Sequence, residues 1–243
     1  IDFAAIQNDH LIRLSDSEPE HFHVFGTLPL QDISASLKEI DRVAAHPRVR
    51  GIQIGSNVDH VDLDDDRFAP IWEDLELRNL PVWIHPDQRS IAGADRLSAY
   101  YLQNLVGLPL ESTIAATKLI FGGVLDRHPQ LRFGFVHGGG FTPYQVGRLN
   151  HGWQVRPEPK RVTAATAPGH YFRTMFFDSL THDPLSLELL GRRVGWDHVV
   201  LGSDYPFDMA SADPVAAVEA IDLSTEERRS VLEESAASFL RPL

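Results

Sequence analysis

The sequence predicts an α/β fold with a parallel β-sheet. Short segments rich in β-branched and aromatic residues alternate with amphipathic helical segments along the 243 residues, and this alternation is typical of βαβ units. No shift in composition marks a second domain, so residues 1–243 are expected to form a single domain. A hydrophobic content of 43% with 23% charged residues is that of a globular chain.

Six segments have the residue pattern of short buried strands. They are His21–Leu28, Arg50–Ser56, Pro81–His85, Leu131–His137, Thr174–Asp178 and His198–Asp204. Polar or small residues close five of them: Thr27, Ser56, His85, His137 and Asp204. Because parallel strands present their carboxyl ends at one edge of a sheet, functional side chains are expected to gather there.

Helical patterns occupy the intervals and the end of the chain. They cover Asp32–Ala45, Phe68–Arg78, Leu110–Asp126, Pro184–Val194, Asp213–Ala220 and Glu226–Leu240. Asp183 and Asp213 each precede a proline, which is the arrangement of an N-cap before the first helical residue. Ser224 stands three residues before Glu227, which predicts a capping box for the last helix.

Charge and cysteine content exclude several classes of protein. The net charge of −12 would repel nucleic-acid phosphates, so no nucleic-acid partner is expected. No apolar run is long enough to cross a membrane, and no secretory signal pattern follows Ile1. The chain has no cysteine, which excludes disulfides and thiol chemistry and fits a reducing cytoplasm.

His85 and Asp204 are candidate metal ligands. Each ends an apolar strand, and imidazole and carboxylate groups are ligands that Zn²⁺ and related ions prefer. A strand-capping hydrogen bond is the alternative for His85. An N-cap before the turn at Tyr205 and Pro206 is the alternative for Asp204.

His137 is a candidate general acid or base, because the glycines that follow it, 138–140, allow close approach of substrate. Its alternative is a hydrogen bond to a loop carbonyl. Arg148 is either a surface ion pair or a clamp for a substrate carboxylate. His21 and His23 have the spacing of a metal pair, but they open a strand, so we expect no metal there.

Six βα units do not close an eight-stranded barrel. The residues alone leave two possibilities: an open doubly wound sheet, or a barrel whose first two units are missing. The glycines at 138–140 lack the spacing of a dinucleotide-binding loop. Two long irregular stretches, Asp87–Gly107 and Trp153–His170, are candidate active-site loops.

Motifs spread over nearly the whole chain resemble the amidohydrolase-related decarboxylases, typified by aminocarboxymuconate-semialdehyde decarboxylase. In chain order, they are GTLPLQD (26–32), GIQIG (51–55), WIHP (83–86), FGGVLDRHP (121–129), HGGG (137–140), VGR (146–148), FDSLTHDP (177–184) and LGSDYPF (201–207). The resemblance implies a distorted (β/α)8 TIM-type barrel with one divalent metal, zinc or in some members manganese.

The resemblance also implies roles for individual residues. His85 and Asp204 match metal ligands, and His137 matches the catalytic histidine. Arg148 matches an arginine that one subunit of a homodimer lends to its neighbour's substrate carboxylate, and Phe207 matches an aromatic residue of the substrate pocket. The family's first strand carries a metal-binding His-X-His pair. His21 and His23 open a later strand and do not match it, so the amino-terminal segment bearing the family's pair is expected to be absent from this chain.

The function expected from these residues is metal-dependent, nonoxidative decarboxylation of a small unsaturated or aromatic carboxylic acid. Hydrolysis or hydration of a lactone, ester or enoic acid in the same pocket is the alternative, since a metal and a base serve all these reactions. A third possibility is a metal-free barrel that binds small acids without catalysis.

Overall fold

A parallel sheet of six strands forms the centre of the fold. The computed structural model describes residues 2–162 and 166–242. Within them the strands are β1 (Val24–Thr27), β2 (Val49–Ile54), β3 (Asn57–Val58), β4 (Val61–Asp62), β5 (Val82–Ile84), β6 (Phe133–Phe135), β7 (Phe176–Asp178) and β8 (Val199–Val200). The central sheet has the order β1-β2-β5-β6-β7-β8 with every pair parallel, so the six predicted strands are confirmed.

The order of the strands decides between the two architectures left open by the residues. Strands follow one another across the sheet in chain order, whereas a doubly wound sheet reverses its order at a switch point. The sheet is therefore wound in one direction, as in a barrel. The antiparallel hairpin of β3 and β4 is a small addition after β2 that the sequence did not predict.

Helices lie between the strands and at both ends of the described chain. They are α1 (Asp2–Ser17), α2 (Ile33–Ala44), α3 (Ala69–Leu77), α4 (Leu108–Phe121), α5 (Val124–Arg127), α6 (Thr142–Val155), α7 (Pro168–Tyr171), α8 (Pro184–Val194), α9 (Pro214–Glu219), α10 (Thr225–Arg229) and α11 (Ser235–Phe239). Among the described residues, no helix is both long and apolar enough to cross a membrane.

Local capping explains where several helices begin. The Asp183 carboxylate accepts a hydrogen bond from the Ser186 backbone N–H at 2.8 Å, and Asp213 does the same for Ala216 at 2.9 Å. The capping box predicted at Ser224 is present. The long helix predicted over Leu110–Asp126 is wrong at its end, because Gly123 has a left-handed φ of 71° that terminates α4 and starts the separate turn α5.

The carboxyl-terminal segment closes the amino-terminal end of the sheet. Phe239 is 2% exposed, and its ring lies 5.1 Å from that of Trp83 and 5.0 Å from that of Phe176. Arg132, just before β6, donates from Nε to the Phe239 carbonyl at 2.8 Å. This packing of aromatic rings requires glycine at position 134, because a Cβ on Gly134 would lie 2.1 Å from the Trp83 ring. The opposite end of the sheet is left for the functional side chains.

Replacing Phe239 by alanine is expected to lower the free energy of unfolding by about 3–5 kcal/mol, since it leaves a cavity among buried aromatic rings. Urea denaturation monitored by circular dichroism measures the change. Leu77→Ala is the control, because Leu77 is 79% exposed and its loss should change stability by less than about 0.5 kcal/mol. Equal unfolding midpoints for the two variants would show that the segment contributes little.

Candidate metal and catalytic site

Three potential metal-binding side chains meet at the carboxyl edge of the sheet. His85 directly follows β5, His137 lies two residues after β6, and Asp204 lies in the segment after β8. Each offers one ligand atom, and these three atoms all lie within 4.8 Å of one another. The sequence prediction that residues closing separate strands converge here is thus met for His85, His137 and Asp204.

The spacing of these atoms suits a bound ion better than direct hydrogen bonding. His85 Nε2 lies 3.5 Å from Asp204 Oδ1, and His137 Nε2 lies 3.8 Å from Asp204 Oδ2. Both distances exceed those of good hydrogen bonds. Two ligands about 2.0–2.2 Å from one tetrahedral Zn²⁺ lie roughly 3.3–3.5 Å apart. The donor set of imidazole nitrogen and carboxylate oxygen therefore fits a divalent cation.

A hydrogen bond fixes which nitrogen of His85 faces the cluster. His85 Nδ1 lies 3.0 Å from the Pro86 carbonyl, and a carbonyl oxygen can only accept, so Nδ1 carries the proton. The lone pair of the neutral ring is then on Nε2, which faces Asp204. This is the usual arrangement by which a backbone carbonyl orients a metal-binding histidine.

His137 is enclosed and stays neutral near pH 7. Its side chain is 17% exposed, and Nδ1 is buried with no hydrogen-bond partner among the described residues. Burial lowers the pKa of His137 to about 4; His85 acts in the same direction, and Asp204 acts against it. A neutral imidazole can accept a proton, which is what a general base requires.

Both His137 and Asp204 have strained backbone conformations. Their φ angles are 56° and 58°, in the left-handed region that residues with a Cβ rarely occupy. Strain of this kind concentrates at functional sites, where the surrounding structure holds it in place. The strain gives a second reason, independent of ligand spacing, to assign function to these two positions.

The cluster opens into a cavity of about 890 Å³. Phe207 lines this cavity, with its ring centroid 6.3 Å from that of His85. Five of the lining residues have side-chain amides: Gln7, Gln31, Gln53, Gln88 and Asn104. A more apolar cavity of about 410 Å³ adjoins it and shares Asn104, His137 and Asp204. His137 and Asp204 therefore face both spaces.

Arg148 is the one candidate that the fold does not bring to the cluster. It lies on α6, is exposed, and has no ion pair or hydrogen bond with any described residue. Neither of the two cavities is lined by it. The surface ion pair considered as its alternative role is thus absent from the described part of the chain.

The other sequence expectations near the site have mixed outcomes. His21 and His23 precede β1, at the end of the sheet opposite the cluster. The loop Asp87–Gly107 does line the cavity, through Asp87, Tyr101 and Asn104 among others. The stretch Trp153–His170 does not line it with its described residues, and part of it, 163–165, lies outside them.

Asp178 is a buried residue of the site that the sequence did not single out. It ends β7 and is 5% exposed, and its carboxylate accepts hydrogen bonds from the backbone N–H groups of His137 and Gly138. Burial raises the pKa of Asp178 to about 6, while the backbone donors act in the opposite direction. Its position at the end of a strand, like that of Asp204, was the available signal.

Known proteins resemble this chain over nearly its whole length. A 2-amino-3-carboxymuconate-6-semialdehyde decarboxylase of Dictyostelium discoideum is 37% identical over 241 residues, which is 99% of this chain and 67% of that protein. The crystal structure of 5-carboxyvanillate decarboxylase from Sphingomonas paucimobilis superposes with a TM-score of 0.89 at 25% identity, covering 100% of this chain and 73% of the other.

A third comparison concerns the metal. The 5-carboxyvanillate decarboxylase of Novosphingobium aromaticivorans, solved with bound manganese, has a TM-score of 0.87 at 24% identity, covering 98% of this chain and 70% of that one. These neighbours confirm the barrel-type α/β fold expected from the resemblance. The model of the amidohydrolase family matches residues 3–241. Together with the 37% identical relative, this match places the chain in the amidohydrolase family, among the proteins similar to aminocarboxymuconate-semialdehyde decarboxylase.

Proposed function

We propose that this protein catalyses metal-dependent, nonoxidative decarboxylation of a small unsaturated or aromatic carboxylic acid. The observation that carries the proposal is the meeting of His85, His137 and Asp204 in the lining of the 890 Å³ cavity. The relatives named above, at 37% and 25% identity, are both decarboxylases by name. We further propose that residues 1–243 act as a single domain and that the enzyme works in the cytoplasm.

His85, through Nε2, and Asp204 would hold the metal. Zinc is the proposed ion because its preferred ligands include imidazole and carboxylate, and manganese, present in a structural neighbour, is the other candidate. A divalent ion at this position would act as a Lewis acid, polarising an oxygen atom of the substrate.

His137 is proposed to move the proton that decarboxylation requires. When the bond between the carboxyl group and the carbon skeleton breaks, CO₂ leaves and the carbon atom left behind must gain a proton. The neutral imidazole can accept a proton from a substrate hydroxyl or from water and pass it to that carbon. Two observations support this role: Nδ1 has no hydrogen-bond partner among the described residues, and His137 lines both cavities.

We propose that Arg148 serves the pocket of a second subunit in a homodimer. In its own chain it is exposed and unpaired among the described residues. Exposed apolar side chains lie along or beside the same helix, including Phe141 at 39%, Tyr144 at 77% and Val155 at 59%. Such a surface suits a twofold partner, and a guanidinium from the partner would hold a substrate carboxylate.

A subunit-mixing experiment tests this arrangement. Two inactive variants, His137→Ala and Arg148→Ala, are mixed under conditions in which subunits exchange. If Arg148 acts across the interface, one pocket of each mixed dimer has both intact residues, so activity is expected to return in part, up to about half per mixed dimer. Subunit exchange without any return of activity would place Arg148 in its own chain or outside the mechanism.

The reaction itself is tested with the protein expressed from its complete gene and supplied with Zn²⁺ or Mn²⁺. A panel of aromatic and unsaturated mono- and dicarboxylic acids is incubated with the enzyme, and CO₂ release and product mass are measured. Loss of CO₂ from the substrate is the expected result. Addition of water without loss of CO₂ would indicate the hydrolase or hydratase instead, and acid binding without any turnover would indicate the non-catalytic barrel.

A further inference from the structure

The Asp178 carboxylate lies directly beneath the loop that carries His137. Its Oδ2 accepts from the His137 backbone N–H at 2.9 Å, and its Oδ1 accepts from Gly138 at 2.8 Å and from Leu180 at 3.1 Å. The side chain has no ion pair with a cation among the described residues. A buried carboxylate is costly without donors, and here backbone N–H groups are the donors that satisfy it.

The path of the loop explains why these N–H groups need an acceptor. His137 and the next three residues, 138–140, all have φ between 56° and 72°, so the chain turns sharply and its first N–H groups point inward. The glycines are required, because a Cβ on Gly139 would lie 2.5 Å from Phe177 and one on Gly140 would lie 1.9 Å from the Pro109 carbonyl oxygen. Successive inward N–H groups form a concave site that favours an anion.

His137 is the one residue in this turn that has a Cβ, so its left-handed φ costs conformational free energy. Another interaction has to compensate for that cost. The hydrogen bond from its own N–H to Asp178 is such a compensation, since bonds to an ionised acceptor are stronger than neutral ones. Asp178 also packs against the segment after β8 that carries Asp204: a Cβ on Gly202 would lie 2.7 Å from the Asp178 Cβ.

We infer that Asp178 is a positioning residue, whose carboxylate holds the backbone of His137 in the conformation that aims the imidazole at Asp204 and the cavity. This inference rests on the proposed function for its kinetic consequence. Its structural consequence, an ordered turn at 137–140, does not depend on which reaction the enzyme catalyses. The two consequences are measured separately.

The first test is Asp178→Asn, which keeps the size of the side chain but replaces one acceptor oxygen by an NH₂ group. That group would face a backbone N–H, so the turn is expected to relax and displace the imidazole. We expect kcat to fall by about 10–10²-fold, with KM changed by less than about threefold and bound metal unchanged. Hydrogen exchange of the His137 and Gly138 amides is expected to become about tenfold faster.

Leu75→Ala is the matched control, since Leu75 is fully buried on α3 and lines neither cavity. It should lower the melting temperature without changing kcat or exchange in the turn. Asp178→Asn with parental kcat and parental exchange would overturn the inference. The inference would also be overturned if both variants lost kcat in proportion to their loss of stability. If the parent itself lacks decarboxylase activity, the proposed function fails, and the exchange measurement alone decides the role of Asp178.

A second variant covers the case in which Asp178→Asn does not fold. Asp178→Ala leaves a space beneath the turn that formate can fill, whereas formamide has the same size without the charge. Folding and kcat are expected to rise saturably with formate and not with formamide, with the parent enzyme in formate as the reference. Equal effects of formate and formamide on the variant would contradict a role for an anion at this position.

Discussion

Replacement of His137 by alanine is expected to reduce kcat by at least about 10²-fold, the usual contribution of a positioned general acid or base. His137 Nε2 lies 3.8 Å from Asp204 Oδ2 in the lining of the cavity, and its Nδ1 has no partner among the described residues. The ring makes no hydrogen bond within 3.5 Å to any described residue, so its removal is expected to disturb the fold little. Steady-state kinetics on the best substrate of the acid panel measures the effect.

The fold and the bound metal should survive this substitution. Circular dichroism and metal analysis of His137→Ala are expected to match the parent, because His85 and Asp204 remain. His10→Ala is the control, since His10 is an exposed residue of α1 and should keep full turnover. Near-normal kcat in His137→Ala would remove His137 from the mechanism and leave the metal site as the remaining catalytic group.

The position of the site could be predicted because it follows from a simple rule of parallel sheets. His85, His137 and Asp204 each end an apolar strand, and parallel strands carry such residues to one edge. The architecture could not be predicted from the residue pattern alone, because six βα units fit either an open doubly wound sheet or part of a barrel. The order of the strands in space, which local sequence does not encode, decided between them.

Helix α1 shows where local patterns fail. Its polar residue Asn8 is 1% exposed, while its apolar residues Phe3 and Ile6 are 77% and 65% exposed, so burial along this helix does not follow its apolar residues alone. Asn8 is buried because its side-chain amide exchanges two hydrogen bonds with the backbone of Thr27, at 2.8 Å and 2.9 Å. That pairing to the edge of β1 depends on contacts distant in sequence.

Asp178 and Arg148 illustrate two further limits. The role of Asp178 depends on the N–H groups of His137 and Gly138, which lie about forty residues earlier and are brought near by strand pairing. The residue type made Arg148 a candidate carboxylate clamp, and the family resemblance implied that it serves a neighbouring subunit. On the exposed surface of α6 it has no partner within the described chain. If Arg148 acts on a second subunit, as proposed, a single chain contains no contact that would reveal this role.

Substituting His85 by alanine, or Asp204 by alanine, is expected to reduce metal affinity by at least about 10²-fold. Loss of a group that merely orients a ligand costs about 10–10²-fold, so loss of a ligand should cost no less. In His85→Ala, the Asp204 carboxylate, which is 12% exposed, would remain as a ligand. The imidazole nitrogen that would bind the same ion would be gone. Metal content after dialysis, measured by mass spectrometry of the protein expressed from its complete gene, reports the change, and kcat should fall with it.

His128→Ala is the matched control for this experiment. His128 is a buried histidine paired with a carboxylate, as in the site, since its Nδ1 lies 3.2 Å from Glu76 Oε2. Neither His128 nor Glu76 lines the cavity. It should retain the parental metal content even if its stability falls, because no ligand is removed. Added Zn²⁺ or Mn²⁺ in excess should restore part of the turnover of His85→Ala, since weaker binding is offset by mass action. Equal metal content in His85→Ala and the parent would show that the ion, if one binds, is held elsewhere.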